Sequence, residues 1–127
     1  SNVGTVKICS QMNKSRVSLF IEPNLRDIKL AKDLQADCIE IHTGKFCNLI
    51  INKKSYVAEF KKLKKAINLG NELGLEVHAG HGLTYESAKI LSRITGIKEF
   101  NIGHFLIGES IFDGLAKTIK KFRKIIK

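Results

Sequence analysis

The sequence contains no tryptophan, one proline and three cysteines among its 127 residues. It also contains no apolar run of about 18 residues, the length that a membrane-spanning helix needs, so we expect no membrane span. Cys9, Cys38 and Cys47 are odd in number and lack a C-x-x-C spacing, which argues against a disulfide framework and favours a reducing compartment. Because the N-terminus also lacks the basic and then apolar pattern of a signal peptide, the sequence predicts a cytoplasmic protein.

Acidic residues are scarce relative to basic ones: 12 Asp and Glu stand against 22 Lys and Arg, giving a net charge of +10. Much of the excess is lysine in two segments, residues 53–65 and 117–127. Such a charge favours an anionic partner, either nucleic acid or a phosphorylated metabolite. We find no pattern of aromatic residues interleaved with the lysines that would serve as a base-stacking platform. Solvated helix faces therefore explain the lysines better than nucleic-acid binding does.

Strand-like and helix-like segments alternate along the chain, which we interpret as one domain, residues 1–127. The predicted strands cover residues 17–22, 37–42, 75–79 and 98–103, and the end of a helix, marked by Val6, Cys9 and Met12, precedes them. Consecutive strands that are joined by a helix run parallel, because the chain must cross back over the sheet. The sequence therefore predicts an α/β domain with four parallel strands.

Capping residues predict where the helices begin and end. Asn24 begins a helix that reaches about residue 34, Ser55 begins a longer one that Gly74 ends, and Thr84 caps one over residues 87–94. A loop is predicted over residues 43–54, a short helical turn over 106–112, and a last helix that starts at Asp113. The predicted apolar stripes are Val57, Phe60, Leu63, Ile67 and Leu73 in the long helix, and Leu115, Ile119, Phe122 and Ile126 in the last one.

Each predicted strand has one apolar face and one face that carries polar groups. In the second strand, Ile39 and Ile41 oppose Glu40 and His42. Parallel sheets are normally covered on both faces, so we expect the polar face to lie inside a barrel. Active sites of parallel barrels lie at the carboxyl ends of the strands, and such a barrel needs eight strands. The four strands predicted here supply half of one.

Glycine and histidine recur at three of the predicted strand ends. Gly80-His81-Gly82 follows the third strand, Glu-Ile-His-Thr-Gly (residues 40–44) closes the second, and Asn-Ile-Gly-His (residues 101–104) closes the fourth. Glycine is used where a backbone turns sharply or a ligand approaches closely. Because these ends share one edge of a parallel sheet, they predict a single site for a small anionic molecule.

Two other interpretations of the same residues remain open. His78 and His81 could hold a metal together with Glu40 and His42, but their spacing fits no common structural zinc pattern, and we predict no metal site. Cys47 falls in the predicted loop and is not expected to be a nucleophile. His81 has no packing role between two glycines and is therefore the first candidate for chemistry. Supporting roles are predicted for His42, Thr43 and His78.

Four blocks in order closely resemble the second half of the pyridoxine 5'-phosphate synthase family. They are Val-Ser-Leu-Phe-Ile (17–21), Ile-Glu-Ile-His-Thr-Gly (39–44), Ala-Gly-His-Gly-Leu-Thr-Tyr (79–85) and Asn-Ile-Gly-His (101–104), the last followed by Ile107-Gly108 and Gly114-Leu115. The resemblance covers about residues 5–127. It implies a TIM (β/α)8 barrel to which this chain contributes about the last four βα units.

The resemblance also implies an activity, a transferase reaction of vitamin B6 synthesis. That family condenses 1-deoxyxylulose 5-phosphate with 3-amino-2-oxopropyl phosphate to give pyridoxine 5'-phosphate, inorganic phosphate and water. It uses no metal or organic cofactor, is cytoplasmic, and forms homo-oligomers that are typically octamers. By position, His81 matches the family's proton donor and Glu40 the glutamate that stabilises charge in the transition state. Contacts to the amino-ketone phosphate are implied for Gly82, Gly103 and His104.

The family's remaining catalytic groups have no counterpart in this sequence. These are a histidine and a glutamate that accept protons, and arginines that bind substrate, all from the family's first half. We therefore expect these residues alone not to complete the reaction. Another phosphate-handling barrel is a second enzyme hypothesis. A half-barrel without catalytic activity, acting as a homodimer or as a basic nucleic-acid-binding module, is a hypothesis of a different class.

Overall fold

The computed structural model describes residues 15–126. These residues form four strands and six helices, and the helix end predicted around residues 6–12 lies outside them. The strands are β1 (Ser18–Ile21), β2 (Cys38–His42), β3 (Glu76–Gly80) and β4 (Ile97–Asn101). The helices are α1 (Leu25–Asp33), α2 (Gly44–Ile51), α3 (Val57–Glu72), α4 (Tyr85–Leu91), α5 (His104–Asp113) and α6 (Leu115–Ile126). No helix in this range is long and apolar enough to cross a bilayer.

The four strands form one parallel sheet in the order β1-β2-β3-β4. In its register Leu19 lies beside Ile39 and Ile39 beside Val77, while Glu40 lies beside His78. Chain order and spatial order coincide, as they do where every crossover has the same hand. The predicted α/β class and parallel sheet are confirmed, and the arrangement is consistent with part of a TIM-like barrel.

The core lies on one face of the sheet, where the helices pack. Ile39, Ile41 and Val77 are fully buried in one cluster with Leu63 and Ile67 of α3. Each such side chain contributes about 1.5–3 kcal/mol when it leaves water, so burial fixes which face of β2 meets the helices. Glu40 and His42 alternate with these isoleucines, and the opposite face of the sheet therefore carries them.

Three of the predicted helix boundaries are confirmed by their caps. Asn24 accepts a hydrogen bond from the Asp27 N–H at 3.0 Å, and Thr84 forms a capping box with Ser87 at the start of α4. Gly74 follows α3 with φ +77°, a left-handed conformation that glycine adopts without steric cost. The capping pattern in the sequence was therefore sufficient to place these ends.

The predicted loop over residues 43–54 is wrong, because Gly44–Ile51 forms helix α2. Phe46, Cys47 and Ile50 share one face of this helix and are buried. Tertiary burial of that short apolar face outweighs the weak helix propensity of glycine and asparagine in the segment. The structure thus adds a helix directly after the end of β2.

The predicted start of the long helix also differs from the structure. Tyr56 rather than Ser55 precedes α3, and no side chain caps this end. Leu63 and Ile67 of the predicted stripe are buried, whereas Val57 is 55% exposed. Val57 therefore points away from the core, although Phe60 in the same first turn packs against it.

Two predictions at the C-terminal end are corrected. The short turn predicted over residues 106–112 is a ten-residue helix, α5. Asp113 ends that helix rather than beginning the last one, because Gly114 turns the chain with φ +80°. In α6 the buried residues are Thr118 and Phe122, while two residues of the predicted stripe, Leu115 and Ile119, are exposed.

Candidate functional site

The carboxyl ends of β2, β3 and β4 meet in one row of the sheet. His42 lies beside Gly80, and Gly80 lies beside Asn101. Just beyond this row is an open cleft of about 670 Å³. It is lined by the last residue of β4, Asn101, and by residues that follow β3 and β4: His81, Gly82, Ile102, Gly103 and His104. The structure therefore brings together two of the three glycine–histidine motifs around one space, with the third motif at its edge.

His81 has a strained backbone at the mouth of this cleft. Its φ is +82°, a left-handed conformation that costs a residue with a Cβ about 1–2 kcal/mol. The side chain is exposed, and its ring stacks on His42 with 4.4 Å between ring centroids. Residues held in such conformations cluster at functional sites, where the surrounding structure imposes them.

Thr43 supplies the contact that holds this backbone. Its Oγ1 lies 2.7 Å from the Gly80 carbonyl oxygen and 2.8 Å from that of His81, and its own N–H donates to the Gly80 carbonyl at 2.8 Å. Thr43 is 1% exposed, so its contact with the Gly80 carbonyl is buried, while its contact with the His81 carbonyl is partly buried. The role predicted for Thr43 as a supporting residue thus gains a specific geometry.

Gly44 allows the two histidine rings to stack. A Cβ at this position would lie 2.5 Å from Cε1 of His42 and 2.9 Å from Cδ2 of His81, closer than real side chains approach. The Gly44 N–H also points to Nδ1 of His42 at 3.3 Å. The same ring nitrogen lies 3.8 Å from Oε1 of Glu22, so two polar groups face this edge of the His42 ring.

Glu40 reaches across the sheet to a residue two strands away. Its Oε2 accepts a hydrogen bond of 2.8 Å from Nδ2 of Asn101. The strand between them, β3, contributes Gly80 at the crossing point, where any Cβ would overlap Oε1 of Glu40. The carboxylate is therefore held beside the cleft lining through Asn101.

His78 lies on the polar face of the sheet but away from the cleft. Its Nε2 is 2.7 Å from Oε1 of Glu76, and Arg16 pairs with the same carboxylate. Hydrogen bonds from His78 and Arg16 lower the pKa of the Glu76 carboxyl. His78 is 7% exposed and lies beside Glu40 in the register of the sheet, but its ring bonds to Glu76, on the side away from the strand ends.

The start of α5 faces the same cleft. Gly103 precedes this helix and no side chain caps it, whereas Thr84 and Ser87 cap α4 on the neighbouring connection. The first N–H groups of a helix have no partner within the helix and attract anions. Together with the lining residues Gly103 and His104, this end can hold the oxygens of a phosphate group.

The structure offers no support for a metal site among the described residues or for Cys47 as a nucleophile. Among residues 15–126 no three His, Cys, Asp or Glu side chains are placed to hold a metal ion. Cys47 is 2% exposed, and its Sγ lies 3.7 Å from the His81 carbonyl oxygen. Burial raises the pKa of its thiol, which disfavours the thiolate that a nucleophile requires.

Comparison with known proteins identifies the family. A family model described as "Pyridoxal phosphate biosynthesis protein PdxJ" matches residues 4–127. The chain belongs to the PdxJ family. A Pelagibacter ubique protein named pyridoxine 5'-phosphate synthase is 59% identical over 120 residues, which are 93% of this chain and 50% of that protein. A Zymomonas mobilis protein of the same name is 48% identical over 111 residues, 87% of this chain and 43% of that protein.

These matches confirm the resemblance seen in the sequence motifs. The PdxJ chain described here spans about half the length of the curated relatives it matches. A third relative, from Rhodospirillum rubrum, is 47% identical over 85% of this chain and 43% of its own length.

Asn101 was not among the site residues predicted from the sequence, although it is the first residue of the motif at residues 101–104. Its position at a strand end on the polar face was the signal that could have identified it.

Proposed function

We propose that this chain supplies half of a pyridoxine 5'-phosphate synthase, a TIM-barrel enzyme that catalyses a step of vitamin B6 synthesis. The observation that carries the proposal is that His81 and the uncapped start of α5 line one cleft, with the carboxylate of Glu40 held beside it by Asn101. This is a proton-transfer group, an anion and a phosphate-binding element within one site. The membership of the PdxJ family supports the same conclusion.

The proposed reaction joins 1-deoxyxylulose 5-phosphate and 3-amino-2-oxopropyl phosphate into pyridoxine 5'-phosphate, with release of phosphate and water. Its ring closure requires imine formation, dehydration and several proton transfers. In this proposal His81 donates a proton, since histidine titrates near neutral pH. Glu40 stabilises the cationic iminium character that develops next to it.

The phosphate of the amino-ketone substrate is assigned to the mouth of the cleft. Backbone N–H groups of Gly82 and Gly103, and the first turn of α5 from His104, are the proposed donors. The chain's net charge of +10 raises the local concentration of doubly phosphorylated reactants. The proposal includes a homo-oligomeric, cytoplasmic enzyme that needs no metal or organic cofactor and binds no nucleic acid or membrane.

A chimeric synthase tests the proposal directly. In it, residues 4–127 of this chain replace the matching segment of the 59% identical Pelagibacter ubique relative, so that the other half of the barrel comes from a complete protein. We expect pyridoxine 5'-phosphate from the two substrates, and a loss of about 100-fold or more in kcat for His81→Ala. A folded chimera that releases no product, or whose His81→Ala variant keeps full turnover, would overturn the proposal.

A further inference from the structure

The carboxylate of Glu40 and the amide of Asn101 meet across an intervening strand. Neighbouring strands lie about 4.8 Å apart, so β2 and β4 are separated by about twice that distance. Only a pair of side chains that lean toward each other over β3 can close this gap. The 2.8 Å hydrogen bond between them shows that they do.

Gly80 makes this crossing possible. A Cβ at residue 80 would overlap Oε1 of Glu40, approach its Cδ to 2.9 Å and lie 3.1 Å from Cβ of Asn101. The glycine therefore leaves room for both partners at once. Its φ lies outside the left-handed region that favours glycine, so steric space rather than backbone conformation explains this residue.

The bond leaves one oxygen of the carboxylate available. Oε2 accepts from Asn101, while Oε1 accepts no hydrogen bond from any residue between 16 and 126. An amide donor fixes the carboxylate without neutralising its charge, in contrast to an Arg or Lys partner. Asn101 also lines the cleft, so the carboxylate is fixed from the side on which substrate enters.

We propose that Asn101 is a positioning residue that orients Glu40 for catalysis, and that Gly80 is the glycine that lets the two side chains meet. This inference rests on the proposed function, in which Glu40 stabilises charge in the transition state. Asn101 acts through Glu40, so loss of its amide lowers kcat and, in the neutral variant Asn101→Leu, which adds no charge to the phosphate-binding cleft, leaves the KM of both substrates within a few-fold of the parent value. A residue that bound substrate itself would raise KM.

The test uses the chimeric synthase with Asn101→Asp, an isosteric change that removes the donor and places two carboxylates face to face. We expect kcat to fall by about 100-fold, the scale of a misplaced catalytic group. The matched control is Asn71→Asp, because Asn71 donates to the Ile67 and Gly96 carbonyl oxygens on α3 and its neighbouring loop, away from the cleft. This control should lower Tm and keep kcat.

A double variant separates positioning from other roles. Glu40→Gln combined with Asn101→Asp reverses the hydrogen bond, since the amide introduced at position 40 can donate to the carboxylate introduced at position 101. We expect its Tm to recover relative to Asn101→Asp alone, and its kcat to equal that of Glu40→Gln. A further fall in kcat below Glu40→Gln would show that Asn101 acts independently of Glu40 and would overturn the inference.

Gly80→Ala disturbs the contact between Glu40 and Asn101 without altering either of these two residues. Its Cβ must displace the Glu40 carboxylate, and we expect a kcat loss similar to that of Asn101→Asp. Gly108→Ala in α5 is the control, because the added Cβ meets no atom within 4 Å other than its chain neighbours and the backbone of its own helix. If Glu40→Gln leaves turnover unchanged, the role of Glu40 in the proposed function fails. If Glu40→Gln abolishes turnover while Asn101→Asp and Gly80→Ala do not, only the inference drawn here fails.

Discussion

Replacing Thr43 with valine removes one hydroxyl and tests whether that group maintains the His81 backbone. The Gly80 carbonyl keeps a donor, because the Thr43 N–H reaches it at 2.8 Å. The His81 carbonyl loses its oxygen donor at 2.8 Å and retains only Sγ of Cys47 at 3.7 Å. Valine has nearly the shape of threonine, so the change is confined to hydrogen bonding.

The expected magnitude follows from these contacts. The His81 carbonyl is only partly buried, so water replaces part of the lost bond, and the free energy of unfolding should fall by about 0.5–1.5 kcal/mol, the net contribution of one hydrogen bond. The left-handed conformation of His81 costs about 1–2 kcal/mol, which is comparable to the energy of the lost hydrogen bond. Without that bond, the backbone can therefore move to a less strained conformation. A histidine displaced by about 1 Å should lower kcat by about 100-fold. Urea unfolding and steady-state kinetics of the chimeric synthase measure the two effects.

Thr118→Val is the matched control for this prediction. Thr118 is also fully buried, and its hydroxyl donates to one carbonyl, that of Gly114, at 3.0 Å. The same carbonyl keeps the Thr118 N–H at 3.1 Å. Thr118→Val should therefore lower stability by a similar or smaller amount and leave kcat unchanged. Equal kcat values for Thr43→Val and Thr118→Val would show that the Thr43 hydroxyl does not maintain the His81 backbone.

Three further predictions concern single groups. His81→Gly should lower kcat by about 100-fold or more without loss of stability, because glycine adopts φ +82° freely; a destabilised variant by urea unfolding would contradict this. The thiol of Cys47, whose pKa burial raises, should resist iodoacetamide at pH 8 in the folded protein and react after unfolding, as mass spectrometry can show; rapid labelling of folded protein would count against it. Hydrogen bonds from His78 and Arg16 lower the pKa of the Glu76 carboxyl in the folded protein. The resulting stabilisation is fully present above the pKa of Glu76 in the unfolded chain and is lost as the pH falls through its pKa in the folded protein. Glu76→Gln should therefore lower Tm at neutral pH and not below the folded-state pKa, and a Tm difference that persists below the folded-state pKa would contradict this prediction.

Residue alternation and capping allowed much of the fold to be predicted. The β2 pattern of isoleucines alternating with Glu40 and His42 has one reading in a parallel sheet, and the structure confirms it. Asn24 and Thr84 mark helix starts through local hydrogen bonds that depend only on nearby residues. Such signals are local, which is why sequence alone contains them.

The errors share a different physical origin. Helix α2 forms because Phe46 and Ile50 are buried in the hydrophobic core. Residues from distant parts of the chain make up that core. The contact between Glu40 and Asn101 likewise joins residues 61 positions apart. Its geometry depends on strand order and on the absence of a side chain at Gly80. A single sequence can suggest these residues as candidates, but the distances between them follow only from the folded structure.

A crystal structure of the chimeric synthase with 3-amino-2-oxopropyl phosphate would show directly whether the strand ends form one phosphate-binding and proton-donating site. We expect phosphate oxygens about 2.7–3.2 Å from the N–H groups of Gly82, Gly103 and His104, with the amino-ketone between His81 and Glu40. Phosphate bound instead among the lysines of α3 or α6, with the cleft at His81 empty, would contradict this expectation.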